Sequence, residues 1–176
     1  WNAGFTFTGT QSYDLGAGAV TLREPVTVTV GGNTLTVGGA ISDGSAGFGL
    51  IKDGAGALVL NGVNSFGGAG QTVLVQAGRL TVNGDAALGA AGNSVTIVAN
   101  GGTAATGLGV TGTFTLNRQL NLNAATSALD VSLSNTLTVA NPFVFSAPGN
   151  VLAKNGAGTL VLPVANAGWT GGLNIN

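Results

Sequence analysis

The sequence predicts an all-β fold built as a β-solenoid, in which short strands coil about one axis and stack on the coils before and after. Three observations predict it. Apolar residues alternate with Thr or Asn in short runs along the whole chain, Gly, Asn and Asp separate these runs, and one segment recurs near the end of the chain. No window carries the 3.6-residue apolar stripe of an amphipathic helix, so we expect almost no helix.

The alternating runs are the expected strands. In each run the residues at i and i+2 are apolar, which places one face inward and leaves the other toward solvent. The runs are residues 5–8, 26–30, 35–37, 58–60, 73–75, 80–82, 95–97, 114–116, 120–122, 137–139, 143–145 and 160–162.

Tight turns are expected between the strands. Asn-Gly and Asp-Gly pairs supply the positive-φ positions that such turns need. These pairs recur at a spacing of roughly ten residues, which suits either a sandwich or a solenoid. Clear examples are Asp53-Gly54, Asn61-Gly62, Asn83-Gly84 and Asn155-Gly156.

An internal repeat distinguishes the solenoid from the sandwich. Residues 52–60 read Lys-Asp-Gly-Ala-Gly-Ala-Leu-Val-Leu, and residues 154–162 read Lys-Asn-Gly-Ala-Gly-Thr-Leu-Val-Leu. Residues 64–68 correspond to residues 166–172, which contain a two-residue insertion. Self-similarity of this kind is typical of stacked architectures, and coils of about 20–30 residues are expected. Each strand then bonds to the coils above and below at a spacing of about 4.8 Å.

The composition excludes several kinds of chemistry. Charged residues make up 6% of the chain, the net charge is −1, and there is no His, Cys or Met. Without Cys there is no disulfide or thiolate metal site, and without His there is no Ser-His-Asp or Cys-His site. The charge gives no reason to expect a nucleic acid partner, and no apolar run approaches the length of a membrane-spanning helix.

The repeat resembles a known pattern. Residues 54–68 read Gly-Ala-Gly-Ala-Leu-Val-Leu-Asn-Gly-Val-Asn-Ser-Phe-Gly-Gly, and a strand and Ala-Gly-Arg-Leu follow. This segment resembles the passenger-associated strand repeat of bacterial autotransporters. It differs in Ala57, where the family has Thr, and in Phe66, where the family has Tyr. In the second copy Pro163-Val164 replaces Asn61-Gly62, and we expect Pro163 at an exposed or bulged strand edge.

The resemblance implies a right-handed parallel β-helix that is exported across a Gram-negative outer membrane and displayed or released outside the cell. We interpret residues 1–176 as one solenoid segment of a longer repeat protein. Related repeat units are expected near residues 35–89 and 137–176. The resemblance implies no membrane insertion by this segment.

Few residues suggest a reaction or a bound ion, and we expect no catalytic, cofactor-binding or metal site. Asp43 and Asp53 are a candidate carboxylate pair for a polysaccharide-acting enzyme, although an Asp before Gly has an ordinary role in a turn. Residues 67–71 begin like a calcium-binding β-roll but lack its Asp. Residues 107–112 match a dinucleotide fingerprint by letter, but a strand is expected after them rather than a helix.

Two sets of residues have a structural and a binding interpretation. Lys52 and Lys154 occupy the same repeat position, and we favour solvated charges at turns over a ligand-binding ridge. Trp1, Tyr13, Phe66 and Trp169 are candidates for an aromatic platform that binds glycans. Since Phe66 and Trp169 share a repeat position, a structural plug beside the Gly-Gly turn is the simpler interpretation.

The sequence therefore predicts a non-enzymatic structural or adhesive module, the stalk of a surface passenger. The alternative is a subunit of a self-assembling extracellular fibre, and a polysaccharide-acting β-helix enzyme is the third hypothesis. The partners left open are other copies of the chain, end to end or side by side, and a host-surface or glycan ligand.

Overall fold

The computed structural model describes residues 1–167 and 169–176. Its strand pairs are all parallel, and each joins residues of neighbouring coils. The described chain contains one short 3₁₀ helix, Asp85–Leu88, and is otherwise strands and turns. The predicted all-β solenoid is confirmed.

Three faces make up each coil. Face A is a seven-stranded sheet of β1 (Phe5–Phe7), β4 (Val26–Val30), β7 (Leu50–Asp53), β9 (Thr72–Val75), β11 (Ser94–Ile97), β14 (Leu120–Leu122) and β17 (Val144–Phe145). Face B is an eight-stranded sheet of β2 (Tyr13–Asp14), β5 (Thr34–Val37), β8 (Ala57–Leu60), β10 (Arg79–Val82), β12 (Gly107–Val110), β15 (Thr126–Val131), β18 (Val151–Asn155) and β20 (Leu173–Ile175). Face C holds two smaller sheets, β3 (Val20–Thr21) with β6 (Ile41–Ser42), and β13 (Phe114–Leu116) with β16 (Thr136–Val139) and β19 (Thr159–Val161).

The core is a column of mostly aliphatic side chains. Alternation along each strand turns every second residue inward, as in β4, where the burial alternates through Val26, Val28 and Val30. On face B, Leu35, Leu58, Leu80, Leu108 and Leu129 are in register from coil to coil, and each is 2% exposed or less. Full burial of such a side chain contributes about 1.5–3 kcal/mol, so stacking these columns accounts for the stability of a chain with little charge.

Face C is irregular in two successive coils. Between β6 and β13 no strand forms there, and the side chain of Asn64 replaces part of the missing backbone bonding. Its Oδ1 accepts from the Ile41 N–H at 2.8 Å, and its Nδ2 donates to the Ala87 carbonyl at 2.6 Å. One buried amide thus connects the coil before with the coil after.

A loop of residues 98–106 covers part of the outer surface of face B. Asn100 Oδ1 accepts from the Thr126 N–H at 3.0 Å, and the Gly102 carbonyl accepts from Asn155 Nδ2 at 3.2 Å. Beneath it the outward side chains of Ala128 and Ala153 are buried. The segment at residues 107–112 contains strand β12, and the next element is strand β13, so no helix follows it, as predicted.

The two copies of the repeat lie on different faces. In the first copy, Lys52 lies on face A and residues 57–60 lie on face B. In the second, Lys154 lies on face B and residues 159–161 lie on face C. Four register steps on face A lead from Lys52 to Phe145, through Val75, Ile97 and Leu122, and Lys154 follows nine residues later. The second copy is therefore displaced by four coils and one face.

Candidate functional site

Lys52 points into the core, and the prediction of a solvated charge was wrong. Strand β7 places Leu50 inward, and Lys52, two residues later, lies on the same side. Its register partners are Val28 and Val75, and its side chain is 0% exposed. The alternation that identified the strands would have placed Lys52 inward, but the Asp53-Gly54 turn signal beside it suggested solvent.

The ammonium group of Lys52 is bound by backbone carbonyls at the corner between faces A and B. Nζ donates to the carbonyl oxygens of Asp53 at 2.8 Å, Gly54 at 2.7 Å and Ala77 at 3.0 Å. We call Lys52 with these three carbonyls the lysine corner. Three donors meet three acceptors, so the buried ammonium leaves none of its N–H groups unpaired.

Lys154 has a similar environment in the second copy, with two carbonyl acceptors instead of three. It is 8% exposed, and its Nζ donates to the carbonyl oxygens of Asn155 at 3.0 Å and Gly156 at 2.6 Å. These acceptors are the counterparts of Asp53 and Gly54. Neither lysine forms the surface ridge that was the alternative to a solvated charge.

Burial changes the acidity of Lys52. Desolvation lowers the pKa of the ammonium to about 8, and the nearby Asp53 carboxylate acts in the opposite direction. The group is therefore protonated at neutral pH and can act as a donor to the corner.

Asp43 serves a loop rather than a reaction. Its Oδ1 accepts from the Ser45 N–H at 3.0 Å, and its Oδ2 accepts from the N–H groups of Phe48 at 2.8 Å and Gly67 at 2.9 Å. Burial raises its pKa, but the N–H donors of Gly67, Phe48, Ser45 and Gly47 outweigh it, so the pKa lies below its usual value. Asp43 is 5% exposed, and its carboxylate oxygens are bound by backbone N–H groups.

The structure does not bring Asp43 and Asp53 together as a free pair. Asp53 is the last residue of β7 and Asp43 precedes that strand, so the length of β7, roughly 10 Å, lies between them. In the loop suggestive of calcium binding, Gly67 and Gly68 donate N–H groups to Asp43 and Asn93, the opposite of what a cation needs. Among residues 1–167 and 169–176, no three acidic side chains are grouped to hold a metal ion.

The aromatic residues do not form one platform. Phe66 is 0% exposed and is the plug that its repeat position predicted. Trp169 is half-buried, stacks on Phe145 with ring centroids 5.2 Å apart, and donates Nε1–H to the Asn150 carbonyl at 2.9 Å. Trp1 packs against Phe5 in the first coil, and Tyr13 is exposed on β2.

The equivalence of the two plugs is supported by the asparagine that precedes each. Asn166 Oδ1 accepts from the Phe143 N–H at 2.6 Å, as Asn64 Oδ1 does from the Ile41 N–H in the first copy. Pro163 is exposed just beyond the end of β19, in agreement with the edge position predicted for it.

A partly buried ion pair, which no sequence pattern predicted, holds the 3₁₀ helix. Arg118 is 3% exposed and binds both carboxylate oxygens of Asp85, at 3.0 and 2.9 Å. The same guanidinium donates to the carbonyls of Leu88 and Ala90 in the coil below. The two charges are far apart in sequence, and no local pattern shows that they meet.

A second ion pair crosses face B. Arg79 binds Asp130 across Gly109, and a Cβ on that glycine would overlap the Arg79 guanidinium. Arg79 also donates to the Ala104 carbonyl of the covering loop. Both ion pairs act within the solenoid, joining coils or holding the loop.

Comparison with known proteins bears on the repeat itself. The profile of the passenger-associated-transport-repeat family matches residues 50–84 and 152–176. These two segments, which make up about a third of the chain, are similar to that repeat. Together with the parallel solenoid, these matches support the autotransporter passenger β-helix that the resemblance implied. No curated protein and no solved structure matches the chain.

The two matched segments begin just before the inward lysines. The first covers β7, β8, β9 and β10, and the second covers most of β18 and runs through β19 and β20. Within each, the polar side chains described above bind backbone groups of their own or a neighbouring coil. Among the described residues, no helix is long and apolar enough to cross a membrane. The polar residues of the repeat thus form hydrogen bonds within the solenoid.

Proposed function

We propose that this chain is a structural spacer, the β-helical stalk of an autotransporter-type passenger that is displayed on the cell surface or released. The observation that carries the proposal is the continuous parallel register of face A, from Phe5 in the first strand to Phe145 in the last. A stack of this kind extends in one direction at constant cross-section, by about 4.8 Å for each coil.

The chemistry of the polar residues supports the same role. Lys52, Asp43 and Arg118 are the groups most able to bind or react, and each is buried and bonded to backbone atoms. Such groups fix the shape of the coils, and few charged groups are left to bind a ligand. The passenger-associated-transport-repeat favours surface or secreted display.

The proposal predicts that length follows coil number. Residues 50–72 make one coil, because Leu50 is in register with Val73. Inserting two further copies of this segment after Thr72 should lengthen the particle by about 10 Å, since each coil adds one strand spacing. Small-angle X-ray scattering measures the maximum dimension of both proteins.

The control carries an insert of equal length made of Gly and Ser, which forms a flexible loop rather than coils. A rod that does not lengthen with added coils would contradict the spacer. Saturable binding of the isolated chain to host cells or to a glycan array would indicate an adhesive role instead. Long uniform filaments in electron micrographs would indicate a fibre subunit.

A further inference from the structure

The lysine corner has the donor geometry of a small cation site. Three carbonyl oxygens, from Asp53, Gly54 and Ala77, lie 2.7–3.0 Å from one point, the Nζ atom of Lys52. Carbonyl oxygens arranged around a point replace the hydration shell of a monovalent cation, as they do in potassium channels. An ammonium group fits the same arrangement with one N–H for each oxygen.

The Gly54 and Ala77 carbonyls of the corner receive their hydrogen bonds from the ammonium. In residues 1–167 and 169–176, no backbone N–H outside the strand ladders donates to the Gly54 or Ala77 oxygen. The turn causes this, because Gly54 has φ +80° and Gly78 has φ +61°, and the chain turns there from face A to face B. A carbonyl that lacks a hydrogen-bond donor costs up to about 1–3 kcal/mol, so a corner without a donor is unfavourable.

The lysine with its carbonyl acceptors recurs at the same position of the repeat, although the two copies lie on different faces. Lys154 binds two carbonyls in the same way, although its corner leaves face B whereas the corner of Lys52 leaves face A. Other coils fill the Lys52 column of face A with aliphatic or aromatic residues, namely Val28, Val75, Ile97, Leu122 and Phe145. Because two separate corners have the same chemistry, the arrangement is a feature of the repeat and not an accident of one turn.

We propose that the first corner of each passenger-associated-transport-repeat is a binding site for an ammonium-type monovalent cation, which the repeat fills with its own lysine. Removing the lysine side chain would free the space between Val28 and Val75 that leads to the three carbonyls. The fragment removed by Lys52→Ala is n-propylammonium, so this ion is the ligand that the empty corner takes.

Chemical rescue tests the proposal. The Lys52→Ala variant of the 176-residue chain is heated in the presence of n-propylammonium chloride, with n-propanol as the uncharged equivalent and KCl as a second cation. At ten times its dissociation constant, n-propylammonium should raise the unfolding midpoint by about 3–6 °C and should do so saturably. The matched control is Leu50→Ala, an inward residue of the same strand that is 0% exposed and has no such carbonyls around it.

Two results would overturn the cation site: equal stabilisation by n-propanol, or an equal effect of the amine on Leu50→Ala. Rescue by KCl as well as by the amine supports the site and widens its ligand to monovalent cations. If Lys52→Ala does not fold, the unmodified chain provides the test through ¹⁵N NMR of its lysine side chains at pH 6. The site requires a slowly exchanging Lys52 ammonium signal, and a freely exchanging or neutral amine contradicts it.

Discussion

At the scale of the residue, the main feature is that two charged side chains, Lys52 and Asp43, are buried and bound by the backbone. Lys52 donates to carbonyls, and Asp43 accepts from N–H groups of a loop and of the next coil. A buried charge is costly unless it is paired or hydrogen-bonded, and here the partners are the polar groups that sharp turns leave unpaired. Lys52 and Asp43 therefore bind polar backbone groups of turns that would otherwise lack hydrogen bonds.

The stability of the chain should rise with pH above the pKa of Lys52. The folded pKa is about 8 and the ordinary value is 10.5, so between these values the unfolded chain binds more protons than the folded chain. The free energy of unfolding then increases with pH, by up to about 3 kcal/mol. Below pH 8 both states are protonated and the dependence ends. Urea unfolding at pH 7 to 10.5, compared with Lys52→Met, isolates this contribution, and identical slopes in the two proteins would contradict it.

At the scale of the element, strands and turns could be predicted from the sequence far better than the connections of face C. Val26–Val30 and Phe114–Leu116 form strands with the predicted bounds, because alternation is a local signal. The strand Gly107–Val110 was not predicted, since its outward Gly residues hide the alternation. The inward position of Lys52 was within reach of the same rule, whereas the Arg118–Asp85 pair joins residues of different coils and has no local signal.

Asn64 offers a test of how side chains replace a missing strand. Its amide is 5% exposed and bonds to Ile41 and Ala87 in the two neighbouring coils. The Asn64→Leu substitution keeps a similar shape but leaves a buried N–H and a buried carbonyl unpaired. We expect a loss of about 2–4 kcal/mol in the free energy of unfolding, measured with urea.

The matched control is Asn61→Leu, three residues earlier at an exposed position. Since the Asn61 side chain lies in solvent, its replacement should change the free energy of unfolding by less than about 0.5 kcal/mol. If both variants lose the same amount, the amide of Asn64 does not join the coils of face C.

At the scale of the whole molecule, stability comes from stacked aliphatic columns and backbone hydrogen bonds. The chain has no His, 6% charged residues and a net charge of −1. In the described residues the ion pairs are Arg79–Asp130 and Arg118–Asp85, and their side chains are 2–23% exposed. Screening by salt acts mainly on exposed charges, so it has little to act on here.

The free energy of unfolding should therefore be nearly independent of ionic strength. Between 0.05 and 0.5 M NaCl at pH 7 we expect a change of less than about 0.5 kcal/mol, because exposed ion pairs are few. Urea unfolding at the two concentrations measures the change. A decrease of more than about 1 kcal/mol at high salt would show that surface electrostatics, rather than stacking, stabilises the solenoid.

The displacement of the second repeat by four coils and one face has a geometric consequence. With three faces to a coil, one face corresponds to about a third of a turn about the long axis. The two lysine-bearing corners therefore lie on different sides of the long axis, about a third of a turn apart. A third copy at the same spacing would lie on face C, and a fourth would return to face A. Regularly spaced repeats in such a chain are arranged helically around the long axis, and no single face carries a row of identical repeats.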